Sequence, residues 1–117
     1  VLGDVSFLHD LNSLHLLNKI KGALVIIIIN NFGGGIFKLL PIHQDQQVSS
    51  IITSPHNISF KNICKEFDIK STEVSNIDEF KFCYQQSLID SRPNIIEVKI
   101  DEVNDQKIYN QLKTITL

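Results

Sequence analysis

Methionine and tryptophan are absent from the 117 residues, and alanine occurs once, at Ala23. Long apolar runs are also scarce. The longest, Ala23 to Ile29, is far too short to cross a bilayer, and no signal-peptide pattern is visible. Charge of one sign is lacking: a net charge of −2 leaves no electrostatic footprint for nucleic acid or an anionic membrane. The two cysteines, Cys64 and Cys83, show no CxxC spacing and fall on separate expected helices. They read as reduced, buried thiols rather than as a disulfide or metal ligands. His9, His15, His43 and His56 form no HxxxH or HxH pair, so no transition-metal pattern is present. The glycines Gly33 to Gly35 lack the GK[ST] ending of a P-loop. Repeats, linkers and low-complexity segments are missing, which leaves one domain large enough to bury a core. Richness in Ile, Asn and Lys suits an AT-rich genome, such as that of a plastid or a small bacterium.

What is present centres on ALVIIIINNFGGGIFKLLP, Ala23 to Pro41. A continuous β-branched run stops at Asn30-Asn31, and Phe32 and three glycines follow. A run without alternation predicts a strand buried on both faces, as in a parallel sheet covered by helices. Ligands of such sheets bind beyond the carboxyl ends of the strands, where the Asn pair and the glycines fall. The chain opens Val1-Leu2-Gly3-Asp4-Val5-Ser6-Phe7, a second strand end with a carboxylate in the turn. Consecutive strands of a βαβ unit end on the same side of the sheet, so Asp4 and Asn31 can point at one site. A carboxylate, an amide oxygen and a backbone carbonyl make a hard-cation set suited to Mg²⁺.

The remaining elements follow from spacing and caps. Leu8 to Ile20 reads as a helix, with Leu8, Leu11, Leu14 and Ile20 at helical spacing, stopped by Gly22. Ile36 to Leu40 is about one turn, ended by Pro41. The polar segment Ile42 to Ser54 reads as a loop near the site. Asn57 or Ser59 caps a helix to about Phe67, and Ile69 to Val74 is a short strand. Ser75 or Asn76 caps a helix whose apolar face carries Ile77, Phe80, Cys83, Tyr84 and Leu88. Ser91-Arg92-Pro93 breaks it. Asn94 to Ile100 is a partly alternating strand expected nearer an edge. A last helix runs from Asn104 or Asp105 to about Lys113. This order predicts an α/β doubly wound parallel sheet.

Gly3-Asp4-Val5 followed by Asn30-Asn31 resembles the GDG…NN motif of thiamine-diphosphate (ThDP) enzymes. GDVSFLHDLNSL (Gly3 to Leu14), NNFGGGIFKLLP (Asn30 to Pro41) and TSPHNISFKNICKEF (Thr53 to Phe67) resemble one family of them. That family is the 2-succinyl-5-enolpyruvyl-6-hydroxy-3-cyclohexene-1-carboxylate (SEPHCHC) synthases of menaquinone and phylloquinone synthesis. The likeness covers nearly the whole chain and only the last of three α/β domains, the diphosphate-binding one. Two positions depart from the pattern. Val5 replaces the third motif Gly, as is frequent in this family, and Phe32 stands where relatives usually carry a polar residue.

The resemblance implies ThDP with Mg²⁺ or Mn²⁺. Asp4, the Asn31 amide oxygen and the Gly33 carbonyl would be metal ligands, with Asn30 shaping the turn. Gly3, Asp4, Val5, Ser6, Asn31, Gly33, Gly34 and Ile36 would bind the cofactor, and Ile36, Phe37 and Leu40 would wall the substrate pocket against water. The whole enzyme would decarboxylate 2-oxoglutarate and add the remainder to isochorismate, as a homodimer or tetramer. It would reside in the bacterial cytoplasm or the plastid stroma, with no nucleic acid and no membrane span. No catalytic residue is expected in this chain, because the activating Glu comes from the pyrimidine-binding domain. Val1-Leu2 read as the end of a strand, so residues 1–117 are expected to be that C-terminal domain truncated at its N-terminus and inactive alone. The other readings are an acetolactate-synthase-like ThDP enzyme, and a non-catalytic flavodoxin-like module or the remnant of a decayed gene.

Overall fold

A computed structural model describes residues 1–39, 46–100, 107–108 and 111. Strand β1 (Leu2–Gly3) leads into helix α1 (Asp4–His9), a 3-10 turn (Leu11–Ser13) and α2 (Leu14–Leu17). Then come β2 (Val25–Asn30), a second 3-10 segment (Gly35–Leu39), α3 (Gln46–Thr53) and α4 (Phe60–Glu66). Strand β3 (Lys70–Val74), α5 (Ile77–Ile89) and β4 (Asn94–Lys99) complete the described elements. The four strands form one parallel sheet in the order β1-β2-β4-β3.

Side chains alternate across a strand, so each face of this sheet has its own partners. On one face Ile28 and Ile95 pack with Phe7 of α1, Leu14 and Leu17 of α2, and Phe60 and Cys64 of α4. Phe7 and Phe60 meet edge to face, with ring centroids 5.2 Å apart. Burying a side chain such as Ile28 or Phe60 contributes about 1.5–3 kcal/mol, and this cluster fixes the sheet to its helices. Helix α5 packs on the other face. There Ile27, Ile29 and Val98 line, with Ile77 and Phe80, an apolar cavity of about 440 Å³. Helices on both faces of a parallel sheet make the doubly wound arrangement expected from the sequence.

Several local expectations are corrected. The helix drawn from Leu8 to Ile20 is broken at Asp10, and the residues taken as the turn before it, Asp4 to Phe7, are already helical. Asp10 accepts from the Ser13 hydroxyl, and its carbonyl accepts from Ser13 N at 3.0 Å. Such local bonds compete with the α-helical ladder. A leucine every third residue fits a 3-10 turn as well as an α-helix.

Residues 46–53, read as part of a loop, form α3. Its inward face carries hydroxyls, Ser49 and Thr53, with Thr53 Oγ1 donating to the Ser49 carbonyl at 2.7 Å, while Ile51 points outward. That inverted polarity hid the helix. Strand β4 is central rather than peripheral, with Asn94 to Glu97 all buried. Its apparent alternation comes from Glu97, a carboxylate buried against a partner described below.

Strand β2 is less covered than its sequence suggests. Ile28 and Asn30 are fully buried, but Val25, Ile27 and Ile29 are only half-buried. The α5 face behaves likewise: Ile77 and Leu88 are exposed, and Ser87 is its buried residue. Ser59 rather than Asn57 caps α4, and Asn76 rather than Ser75 caps α5, accepting from Glu79 N at 2.9 Å. Both cysteines are free thiols. Burial pushes the Cys64 thiol up, which keeps it protonated in the core. Most of the last expected helix lies outside the described residues; residues 107–108 and 111 are helical.

Candidate functional site

The parallel register sets Gly3 beside Ile29, so the chain leaves β1 and β2 at neighbouring points on one edge of the sheet. Asp4 opens α1 there and Asn30-Asn31 close β2. The Asp4 side chain is buried, and its oxygens are already oriented. Oδ1 accepts from Val5 N at 2.7 Å and Oδ2 from Gly33 N at 2.8 Å.

Asn31 supplies the second group. Its amide oxygen faces Asp4 Oδ2 at 3.3 Å and the Gly33 carbonyl oxygen at 2.5 Å. Turning the amide over would replace these contacts with two hydrogen bonds from its NH₂. With the amide oxygen turned inward, the side chain joins the Asp4 carboxylate and the Gly33 carbonyl in a set of three oxygens of different chemical types. Such an arrangement is favourable around a hard cation, which accepts carboxylate, amide and backbone oxygens alike. The donor set therefore fits Mg²⁺ or Mn²⁺. No cluster of three or more His, Cys, Asp or Glu offers a competing metal site among the described residues.

Asn30 works differently from Asn31. Its side chain is fully buried; Nδ2 donates to Glu97 Oε1 at 2.7 Å, and Oδ1 accepts from Phe32 N at 2.9 Å. A carboxylate on β4 thereby orients an amide on β2, which holds the first N–H of the loop. The Asn30 geometry is that of a turn-shaping residue. Glu97 was not singled out in the sequence. The one signal it offered was a charge in the middle of the apolar strand NIIEVK.

The glycines answer to space and backbone. Gly33 has φ +148, and a Cβ there would lie 2.6 Å from the Thr53 carbonyl oxygen. A Cβ on Gly35 would lie 2.6 Å from the Asn31 amide and would push it off the site. Phe32 sits at φ +64, a left-handed conformation that bulky side chains rarely adopt and that Asn tolerates. This accounts for the polar residue usual at that position in the family it resembles. Phe32→Asn is expected to stabilise the fold by about 1 kcal/mol, read as a higher melting temperature; an unchanged or lower one would contradict the strain.

Beyond the glycines, Ile36 and Phe37 are exposed on the 3-10 segment that follows the loop. Ser6 lies exposed in α1, and Val5 and Gly34 are half-buried. Leu40 and His43 lie outside the described residues. His56, left aside in the sequence, is instead close to Asp4: its Nε2 stands 3.3 Å from Oδ2. Gly3, Asp4, Asn31 and Gly33 thus come together at the carboxyl ends of β1 and β2. Among the described residues, no helix is long and apolar enough to cross a membrane.

Residues 1–98 match the family model described as the thiamine pyrophosphate enzyme, C-terminal TPP binding domain. The chain is 44% identical over 115 residues to a SEPHCHC synthase of Psychromonas ingrahamii, covering 98% of this chain and 19% of that protein. It is 34% identical to a SEPHCHC synthase of Chlorobium limicola, covering 97% of this chain and 20% of that one. The chain therefore spans about a fifth of the length of these relatives. Among solved structures it superposes on a benzoylformate decarboxylase of Polynucleobacter necessarius with TM-score 0.71 at 22% identity, over 86% of this chain and 19% of that one. A ThDP-dependent 4-hydroxybenzoylformate decarboxylase of Rhodococcus jostii gives 0.69 at 24%, over 86% and 20%. At these identities the structural likeness establishes the fold alone.

Proposed function

The chain belongs to the thiamine pyrophosphate enzyme family, matching its C-terminal TPP-binding domain, and we propose that it is the diphosphate- and Mg²⁺-binding part of a SEPHCHC synthase. The observation that carries this reading is the juxtaposition of the Asn31 side-chain amide with the Asp4 carboxylate and the Gly33 carbonyl. Asp4, Asn31 and Gly33 would hold the cation, Mg²⁺ or Mn²⁺, leaving its other positions to diphosphate and water. Asp4 contributes the negative charge, Asn31 and Gly33 neutral oxygens, and Val5 N and Gly33 N fix the carboxylate in place. Gly3, Val5, Ser6 and Gly34 would line the diphosphate around that cation. When bound, ThDP supplies the electron sink for decarboxylating a 2-oxo acid.

Ile36 and Phe37, exposed on the 3-10 segment that follows the loop, would exclude water from the reacting centre, and Ile36 would also touch the cofactor. Leu40 is assigned to the same wall on the resemblance alone. The proposed substrates are 2-oxoglutarate and isochorismate, handled by a homodimer or tetramer whose further domains lie outside these residues. The proposed compartment is the bacterial cytoplasm or the plastid stroma. The experiment is a substrate comparison on the full-length protein with ThDP and Mg²⁺. The expected result is CO₂ release from 2-oxoglutarate and, with isochorismate, formation of SEPHCHC. Turnover of pyruvate in preference to 2-oxoglutarate would overturn the assignment in favour of an acetolactate-synthase-like enzyme.

A further inference from the structure

We propose that the strap Thr53–His56 is part of the cation site, with His56 as a positioning residue that fixes both the Asp4 carboxylate and the loop carrying the Gly33 carbonyl. The inference rests on the reading of the site just given and adds to it a segment that supplies no cation ligand.

The strap leaves the end of α3 and crosses the glycine loop. Gly34 N donates to the Thr53 carbonyl at 2.6 Å, and His56 N donates to the Phe32 carbonyl at 3.1 Å. These two bonds bracket Gly33 on either side. The close approach also explains the missing side chain at residue 33, because the Thr53 oxygen occupies the space a Cβ would need. Ser54, between the two contacts, has φ +43 although a proline follows it. The residue before a proline prefers extended backbone. A conformation this unfavourable persists where the surroundings hold it, and such positions cluster at functional sites.

The imidazole completes the clamp. Nδ1 accepts from Ile58 N at 3.3 Å, which puts the ring proton of the neutral tautomer on Nε2. Nε2 faces Asp4 Oδ2 at 3.3 Å, obliquely, and makes no in-line hydrogen bond with any described residue. The ring is buried edge-on against Phe60, centroids 5.8 Å apart, and beside Phe32 at 6.4 Å. An aliphatic side chain would serve those ring contacts equally well. A buried N–H carries a desolvation cost that only an acceptor offsets, and the acceptor it faces is Asp4. An imidazole N–H can orient a carboxylate without the fixed positive charge that Lys or Arg would set against a cation. Groups that hydrogen-bond a metal-ligating side chain orient it, and losing one commonly lowers metal affinity by about 10–100-fold.

The test is a calorimetric titration of Mg²⁺ into the full-length protein with saturating ThDP, alongside melting of the cofactor-free protein. His56→Leu is expected to raise the half-saturating Mg²⁺ concentration by about 10–100-fold, with the cofactor-free melting temperature close to wild type. His56→Gln, whose amide N–H can also donate to Asp4, is expected to recover most of the loss. Wild-type Mg²⁺ dependence in His56→Leu would overturn the inference while leaving the cation site intact. Equal losses in both variants, with equal falls in melting temperature, would reduce His56 to packing and overturn it as well. A wild-type protein that shows no Mg²⁺-dependent ThDP binding would overturn the parent reading and, with it, this one.

Discussion

Asp4→Ala is expected to abolish Mg²⁺-dependent ThDP binding by the full-length protein. Among the described residues, Asp4 is the carboxylate whose oxygen meets both the Asn31 amide and the loop at Gly33. Without it a divalent cation facing a diphosphate keeps only neutral protein oxygens. The loss should exceed the tenfold to hundredfold typical of groups that act through a ligand, about 10–100-fold. Calorimetry reads it directly, and unchanged cofactor affinity would refute the assignment. Alanine also leaves Val5 N and Gly33 N without their acceptor, at about 1–3 kcal/mol for the buried Gly33 N and less for the part-buried Val5 N. Asp4→Asn separates the two effects. It keeps one of the two acceptor oxygens and none of the charge, so affinity should fall as in alanine while the melting temperature falls less than in Asp4→Ala. Asn31→Leu should also lose binding, because it removes the amide oxygen that completes the set.

The second large effect concerns residues 1–117 expressed alone. This chain is expected to show no detectable decarboxylation of 2-oxoglutarate with ThDP and Mg²⁺, and to bind ThDP weakly at best. It spans about a fifth of the relatives' length, and the resemblance assigns the activating Glu to another domain. Its own surface points the same way. The cavity between β2 and α5 is lined by Ile27, Ile29, Ile77, Phe80 and Val98, and Ile77, Phe82, Leu88 and Ile89 of α5 are exposed. Apolar patches of this kind drive association, so the isolated chain should be poorly soluble. The full-length protein, tested in parallel, should turn the substrate over. A monodisperse sample of these 117 residues that released CO₂ in a ThDP- and Mg²⁺-dependent manner would refute this.

The pattern that carried the fold was local and periodic. The β-branched run into Asn30-Asn31, the Gly-Asp turn and the Pro and Gly stops marked strand ends, and a parallel sheet brings consecutive strand ends to one edge. Asp4 and Asn31 could therefore be expected at one site from the sequence, and the resemblance added Gly33 to them. What stayed hidden depends on contacts between distant residues. Helix α3 escaped because its buried residues are Ser49 and Thr53, while Ile51 faces out, so the polar face and not the apolar one turns inward. Strand β4 looked peripheral because Glu97 interrupts it, and only the partner Asn30, on another strand, makes a buried carboxylate there intelligible. His56 carried no spacing signal at all. Its role depends on where the strap returns over the glycine loop, which spacing along the chain does not encode.

The hydrogen bond between Asn30 and Glu97 joins positions 67 apart. It gives the site a place in the order in which the chain is made. Asp4, Asn31, Gly33 and His56 are all synthesised before β4, at about 5–20 residues per second. Until β4 slots in between β2 and β3, Asn30 has no carboxylate to orient it, and the Phe32 N–H it holds has no fixed anchor. A nascent chain that ends short of Asn94 carries those four residues and no assembled site. A chain stopped before β4 is therefore expected to show no Mg²⁺-dependent ThDP binding, which calorimetry on that truncation would check.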